Sequence, residues 1–199
     1  MIELLAITDD ATPPAPPVRA VAAAGLSALC TPADTRELTR EALWRREELL
    51  EELMAGRDLL PVRFGTVVAD ERAAERALAE RRDELAAGLD RVRGAVELAL
   101  RVHSEEPDGP QASSGRDYLS ARSRRAEAAR ELHEPLAAIA RESTVLRGEE
   151  LLRAAYLVDR AAVDEFVAAV RRLQHERPRL ALLCTGPWPP YSFAREVSP

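Results

Sequence analysis

Residues 143–159 read STVLRGEELLRAAYLVD, and this stretch decides the expected fold of the second half of the chain. Apolar and β-branched residues stand on both sides of Gly148, which predicts two strands, STVLR and LLRAAYLVD, joined by a turn. A strand in GAVELALRVH and a helix over residues 116–141 are expected before it. A helix in RAAVDEFVAAVRRLQHE and a buried strand in RLALLC are expected after it. The order βαββαβ predicts a ferredoxin-like domain, an antiparallel sheet with helices on one face.

The first half of the chain mixes strands and helices. MIELLAIT predicts a strand, and VRAVAAAGLSALCTP, with Gly25 between two apolar segments, predicts a hairpin. An amphipathic helix is expected between a cap at Asp34 or Thr35 and its end at Gly56, and a second one in DERAAERALAERRDELAAGLDRV. Between them, LLPVRFGTVV is interrupted by Pro61, which predicts an edge strand or a strand with a bulge.

Length and composition allow two small domains. The chain has 199 residues, of which 46% are hydrophobic, and this is enough to bury a core. We therefore predict an α+β protein of two domains. Residues 1–92 form a mixed α+β domain, and residues 93–199 form the ferredoxin-like domain, which ends in a proline- and aromatic-rich arm.

Charge and hydropathy exclude several classes of partner. The formal net charge is -6, which gives no overall field for attracting nucleic acid or an acidic membrane. No apolar run approaches the roughly 20 residues that a membrane span requires. The start MIELLAITDD lacks the basic residues of a signal peptide. We expect a cytoplasmic protein with neither nucleic acid nor membrane as its partner.

The sequence predicts no catalytic, cofactor-binding or metal-binding site. It has no GxxxxGK[ST] loop, no GxGxxG after a strand and no HExxH. Its histidines, His103, His133 and His175, lack the spacing of metal ligands. Cys30 and Cys184 stand far apart in apolar segments, where a thiol ordinarily serves packing. A cysteine–histidine nucleophile stays open on sequence alone, but we expect a protein that is not an enzyme.

Two stretches are too particular to be ordinary loops, and the first is LPVRFGT. Here Arg63 interrupts an apolar strand, and Gly65 follows Phe64. In the plainer interpretation, Arg63 pairs with an acid on the adjoining helix and Gly65 forms a bulge. In the functional interpretation, the same residues contact a partner.

The second stretch is TGPWPPYSF at residues 185–193, which combines three prolines with three aromatic residues. The prolines predict a stiff, extended arm. Because disordered tails are normally poor in aromatics, the arm is expected to pack either on the protein's own body, closing a sheet edge, or on a partner. The candidate interaction or domain-packing residues are Arg63, Phe64, Gly65, Trp188, Pro189, Pro190, Tyr191 and Phe193.

With these blocks the sequence resembles the gas vesicle protein F/L family (GvpF/GvpL), accessory proteins encoded with gas vesicle genes. GLSALCTP, LLPVRFGTVV, GAVELALRV, GRDYLSAR, LLRAAYLVDR and TGPWPPYSF occur in the family's order. The resemblance implies two α+β domains, the C-terminal one a modified ferredoxin-like fold, and no cofactor. It also implies binding to the major gas vesicle shell protein and other accessory proteins. The expected location is the gas vesicle, including the gas-facing side of its shell, and the cytoplasm.

Two function hypotheses follow. In the first, the protein holds apolar shell subunits in a soluble state or nucleates their ordering, because large exposed apolar surfaces aggregate unless a partner covers them. Aromatic anchors on a rigid arm suit such binding, since they lose little entropy. The alternative is a ligand-sensing regulatory module with a ferredoxin-like domain, which rests on fold analogy.

Overall fold

The computed structural model of the chain describes residues 1–33, 39–104 and 115–194. The described helices and strands form a mixed α+β protein with two antiparallel sheets, which confirms the predicted class. The predicted caps Asp34 and Thr35 lie outside the described residues. The strands are β1 (Ile2–Thr8), β2 (Arg19–Ala23), β3 (Leu26–Pro32), β4 (Leu60–Pro61), β5 (Val67–Val68), β6 (Ala95–Ser104), β7 (Glu142–Val145), β8 (Leu152–Asp159) and β9 (Leu180–Trp188). The helices are α1 (Arg40–Gly56), α2 (Glu71–Glu80), α3 (Arg82–Val92), α4 (Gly115–Ala137) and α5 (Val163–Glu176).

The residues cluster into two compact units. The first comprises Met1–Ala95 together with Trp188–Pro199, and the second comprises Val96–Pro187. The C-terminal arm therefore clusters with the first half of the chain, although the sequence attaches it to the last strand. The division into domains at residues 1–92 and 93–199 stays a prediction.

The first unit is built on β1, which lies inside a sheet of order β2-β3-β1-β4. The apolar run IELLAIT makes β1 almost wholly buried. The predicted hairpin is confirmed: β2 and β3 pair in antiparallel register across Ala24 and Gly25, which both have positive φ. On its other side, β1 pairs with β4 near one end and with β5 near the other. LLPVRFGTVV is thus two short strands interrupted by a turn, and β4 lies at the edge of the sheet, in line with the predicted edge strand.

The second unit has the predicted order of elements, β6, α4, β7, β8, α5 and β9, and its sheet order is β7-β8-β6-β9. Its core gathers around Tyr156 and Phe166, whose ring centroids lie 4.9 Å apart. The prediction that RLALLC is a buried strand is wrong. β9 is an edge strand, with Leu180, Leu182 and Cys184 packed against the core and the alternate residues exposed.

Two helix predictions also need correction. The single helix expected over residues 70–92 is two helices, because Arg81 departs from helical geometry at φ -111° and ψ 18°. The helix expected over residues 116–141 ends at Ala137, two residues after Pro135, whose missing N–H weakens the last turn.

Candidate interaction site

The site begins at a gap in the pairing of β1. Between β4 and β5, the chain does not pair regularly with β1. Two backbone hydrogen bonds to β1 stand at the two ends of this interruption. Val62 N donates to Leu5 O at 2.9 Å, and Leu4 N donates to Thr66 O at 2.9 Å. The turn inside these bonds includes Gly65 at φ 78°, a left-handed conformation that glycine adopts without steric cost.

The guanidinium of Arg46, from α1, fills this gap. Arg46 is 4% exposed. Its Nη1 donates to Glu3 Oε1 at 2.6 Å and to Leu4 O at 3.2 Å, and its Nη2 donates to Val62 O at 2.6 Å and to Leu5 O at 3.3 Å. A buried cation is tolerated when a carboxylate and further acceptors surround it, and here both conditions hold. Arg46 therefore ties α1 to β1 and to the segment after β4.

The residues of the RFGT stretch take different positions around this cation. The Phe64 ring lies under the Arg46 guanidinium, with Cζ 5.4 Å from the ring centroid, and Gly65 N donates to Glu3 Oε1 at 3.3 Å. Arg63 is exposed, and no described acid forms an ion pair with it. The ion pair that the plainer interpretation gave to Arg63 is therefore not formed with a described acid; the buried ion pair here joins Arg46 to Glu3.

The arm packs on the first unit. Pro189 and Pro190 are buried and Phe193 is 3% exposed, whereas Trp188 and Tyr191 are half-buried. Arg91 Nη1, on α3, donates to Phe193 O at 3.3 Å. Of the two packing modes that the sequence left open, the arm makes at least the internal one.

Tyr191 brings the arm to Arg46 as well. Burial raises the pKa of the Tyr191 hydroxyl to about 12, with Arg46 and Glu47 as its charged neighbours. Burial likewise raises the pKa of the Glu47 carboxyl, while Arg46 and Tyr191 act in the opposite direction. The opening strand, the RFGT stretch and the arm therefore meet around one turn of α1.

Sequence reasoning missed Arg46, although a signal was present. Ala42, Arg46, Leu50 and Leu53 are spaced by four, four and three residues, so helical periodicity places the arginine on the apolar face of α1. Its neighbours in WRREELLEEL resemble an ordinary solvated helix, which hides the signal. The Arg46 guanidinium stays protonated near neutral pH, so it can hold backbone carbonyls in place and bind negative charge.

The second unit contains a hydrogen-bonded chain of three side chains. His133 Nδ1 lies 2.9 Å from Tyr156 Oη, and Ser143 Oγ lies 3.4 Å from His133 Nε2. Burial raises the pKa of the Tyr156 hydroxyl, so it stays neutral and cannot supply the negative charge that a carboxylate gives to a catalytic histidine. The hydrogen bonds among His133, Tyr156 and Ser143 satisfy their partly buried polar atoms, which is a structural role.

The cysteines and the acidic residues provide no reactive centre in the described ranges. Cys30 and Cys184 are free thiols, and burial raises the pKa of both, which makes them weak nucleophiles at neutral pH. Within the residues that the structure describes, no group of three or more His, Cys, Asp or Glu is placed to hold a metal ion.

A small recess lies between the first sheet and α2. It has a volume of about 20 Å³ and is lined by apolar side chains that include Leu4, Ala74 and Leu78. A space of this size holds about one water molecule. It gives no support to the ligand-sensing alternative.

The surface of α1 carries two exposed apolar side chains that the sequence analysis did not single out. Trp44 is 63% exposed and Leu43 is 42% exposed. None of the described helices is both long enough and apolar enough to cross a bilayer. The other exposed residues of α1 are mostly charged.

Comparison with known proteins identifies the family. The family model described as gas vesicle synthesis protein GvpL/GvpF matches residues 7–120 and 118–195. The chain belongs to the GvpL/GvpF family. Among GvpL/GvpF proteins, gas vesicle protein F of Streptomyces sp. (strain CB03234) is 32% identical over 90% of this chain and 89% of its own length. Gas vesicle protein L of the same organism is 37% identical over 68% of this chain, which spans 62% of that relative's length.

Solved structures of GvpF have the same fold. The crystal structure of GvpF from Microcystis aeruginosa aligns with a TM-score of 0.84 at 20% identity, over 98% of each chain. That of GvpF from Anabaena sp. PCC7120 aligns with a TM-score of 0.81 at 20% identity, over 98% of this chain and 95% of the other. The family resemblance noted in the sequence is confirmed, and membership in GvpL/GvpF gives the chain a gas-vesicle-related role in association with gas vesicles.

Proposed function

We propose that the chain is an accessory or minor structural protein that takes part in gas vesicle assembly without being an enzyme. In this role it binds the major shell protein and other accessory proteins, in the cytoplasm and at the vesicle, including the gas-facing side of the shell. The observation that carries the proposal is the match of both halves of the chain to a family described by gas vesicle synthesis.

We propose further that the arm is first a clasp and only second a contact surface. Burial of Pro190 and Phe193 supports the clasp, since removing such side chains from water contributes a few kcal/mol. Trp188 and Tyr191 keep part of their surface accessible, and so does Arg63 on the turn after β4. These three accessible residues remain the candidates of the two motifs for touching a partner.

For the second unit we propose a ferredoxin-like domain. Numbering β6, β7, β8 and β9 from one to four, the sheet order is 2-3-1-4, and one helix follows the first strand and another the third. Two crossover units of this kind produce that order. The antiparallel pairing of β7 with β8 agrees with the hairpin that the fold requires between them.

Co-purification tests the proposed function. Tagged wild-type chain, expressed together with a major gas vesicle shell protein, is expected to retain the shell protein. In cells that form gas vesicles, deletion of the gene for the present protein is expected to reduce or abolish the vesicles, and re-expression of the wild-type chain is expected to restore them. A tagged chain that retains no gas vesicle protein, in cells whose vesicles form normally without it, would overturn the proposal.

The same assay separates the clasp from the contact surface. Trp188→Ala with Tyr191→Ala is compared with Tyr191→Phe, which keeps the ring and removes only the hydroxyl. If the double variant stays folded and loses the shell protein, the arm is a contact surface. If it loses stability but the folded fraction still binds, the arm is a clasp.

A further inference from the structure

The outer face of α1 combines an apolar pair with excess negative charge. Leu43 and Trp44 are both exposed. The next turns of the helix present Glu48 and Glu51 to solvent, and the half-buried Glu47 contacts Tyr191 of the arm. The exposed charged residues of α1 are four glutamates and two arginines: Glu41, Glu48, Glu51, Glu52, Arg40 and Arg45.

Nothing in the described part of the chain neutralises these glutamates. None of the four exposed carboxylates forms an ion pair with a described residue. Glu48 and Glu52 are four residues apart, as are Glu47 and Glu51, and like charges at this spacing weaken a helix. Glu41 lies in the first turn, where the helix dipole favours it, but the last turn of α1 has no basic residue to offset Glu51 and Glu52 near the negative end of the dipole.

Exposure of Trp44 is as unusual as the charge. Tryptophan is the residue most enriched among the side chains that dominate binding free energy, and its face attracts arginine and lysine cations. Arg40 and Glu41 lie one turn before Trp44, and Glu47 and Glu48 one turn after it. A partner that carries cations beside apolar side chains would cover Leu43 and Trp44 and would also reduce the repulsion among the glutamates of α1.

We propose that the Leu43–Trp44 face of α1 is a docking surface for a basic, amphipathic segment of another protein. The proposal rests on the proposed function, and it adds the location of the surface and the chemistry of the partner. The apolar side chains of the segment cover Leu43 and Trp44, and its arginines or lysines face Glu48 and Glu51.

The direct test uses overlapping peptides of the major shell protein and of other gas vesicle proteins. Binding is followed by the fluorescence anisotropy of labelled peptide added to the wild-type chain, and the emission of Trp44 is obtained as the difference between the wild type and Trp44→Phe. We expect the binding peptides to be basic, to shift the Trp44 emission to shorter wavelength, and to bind more weakly as salt increases.

Two variants locate the contact. Leu43→Ser with Trp44→Ser, read out by fluorescently labelled peptide, is expected to weaken binding at least about tenfold, as loss of a dominant anchor does. The matched control is Val145→Ser with Leu183→Ser, which removes two equally exposed apolar side chains from the second unit and is expected to leave affinity unchanged. Glu48→Gln with Glu51→Gln is expected to remove most of the salt dependence.

Several outcomes would overturn the inference: no peptide bound, acidic or salt-insensitive binders, or equal affinity of the Leu43/Trp44 variant and the wild type. Dimerisation of the wild-type chain through this face, abolished in the same variant, would assign the surface to a second copy instead. Co-purification keeps the two proposals apart. Shell protein retained by the wild-type chain supports the proposed function, and shell protein not retained counts against it. In either case the peptide assay with the Leu43/Trp44 variant decides the docking surface.

Discussion

At the scale of single residues, the buried arginine is Arg46 and not Arg63. Arg63 stands in an apolar stretch and Arg46 in a charged helix, yet only Arg46 is enclosed, because the burial of a side chain depends on which neighbours the fold brings to it. The carbonyls of Leu4 and Leu5 belong to β1 and that of Val62 to the segment after β4, which is far away in sequence. No local pattern shows that they converge on one guanidinium.

Replacing Arg46 tests this assignment. Arg46→Ala leaves the Glu3 carboxylate without its cation in a mostly buried place, and we expect the free energy of unfolding to fall by about 3 kcal/mol or more. Urea unfolding measures the loss. The control is Arg45→Ala at the exposed neighbouring position, expected to change stability by no more than about 0.5 kcal/mol. Equal effects of the two substitutions would contradict a structural role for Arg46.

His133 makes stability depend on pH in the second unit. Burial lowers the pKa of His133 in the folded chain, so the unfolded chain takes up its proton first. Stability is then complete above the ordinary histidine pKa, near 6.5, and falls as the pH drops below it. Comparing unfolding at pH 8 and pH 5, we expect His133→Gln to reduce this pH dependence and His175→Gln, at an exposed position, to keep it. The reverse pattern would refute the assignment.

At the scale of elements, periodicity in the sequence predicts which face of a helix is buried, but it does not predict whether a strand pairs on one side or on both. Ala74, Leu78, Leu85 and Leu89 are buried, as the amphipathic pattern of DERAAERALAERRDELAAGLDRV requires, although the segment is divided into two helices at Arg81. RLALLC has the composition of a buried strand, yet β9 is the last strand of its sheet. Composition does not encode whether a second neighbour pairs with a strand, so edge and centre cannot be distinguished from this stretch alone.

The approach of α3 to β4 depends on a glycine. A Cβ at Gly88 would lie 3.0 Å from Leu60 Cδ2. Gly88→Val adds two further methyl groups there, and we expect overpacking to lower the free energy of unfolding by about 1–3 kcal/mol. Gly56→Ala is the control, because a Cβ there meets nothing within 4 Å. Thermal unfolding of both variants measures the difference, and an unaffected Gly88→Val would mean that α3 shifts freely.

At the scale of the whole molecule, the arm is the feature that sequence order describes least well. Its need to pack follows from its aromatics, and Phe193 is indeed buried. The predicted extended course holds only to Trp188, where β9 ends, because residues 191–193 form turns in which Phe193 N donates to Pro190 O. The sequence of the arm does not show that it clusters with the first half of the chain. No residue pattern in TGPWPPYSF indicates that Phe193 lies beside Arg91 or that Tyr191 lies beside Arg46. The candidate site was thus half predictable: its two motif segments were found, and the helix residue that joins them was not.

Hydrogen exchange tests how far the arm stabilises the first unit. Phe193→Ala removes a ring that is 3% exposed, a change that typically costs 3–5 kcal/mol, so opening of the surrounding structure should become easier. We expect faster amide exchange in β1, α1 and α3, with α5 as the internal control that stays unchanged. Acceleration confined to the last residues of the chain would show that the arm adds nothing to the stability of the body.

The arm also gives the protein an order of completion in time. The second unit is one continuous segment from Val96 to Pro187, whereas the first unit needs residues that the ribosome adds after that segment. During synthesis, β1 and α1 emerge early, and the second unit has all its residues at Pro187, before Pro190 and Phe193 are added. Until those two residues emerge, the newborn chain leaves open the part of the first unit that the Phe193 ring covers in the finished chain.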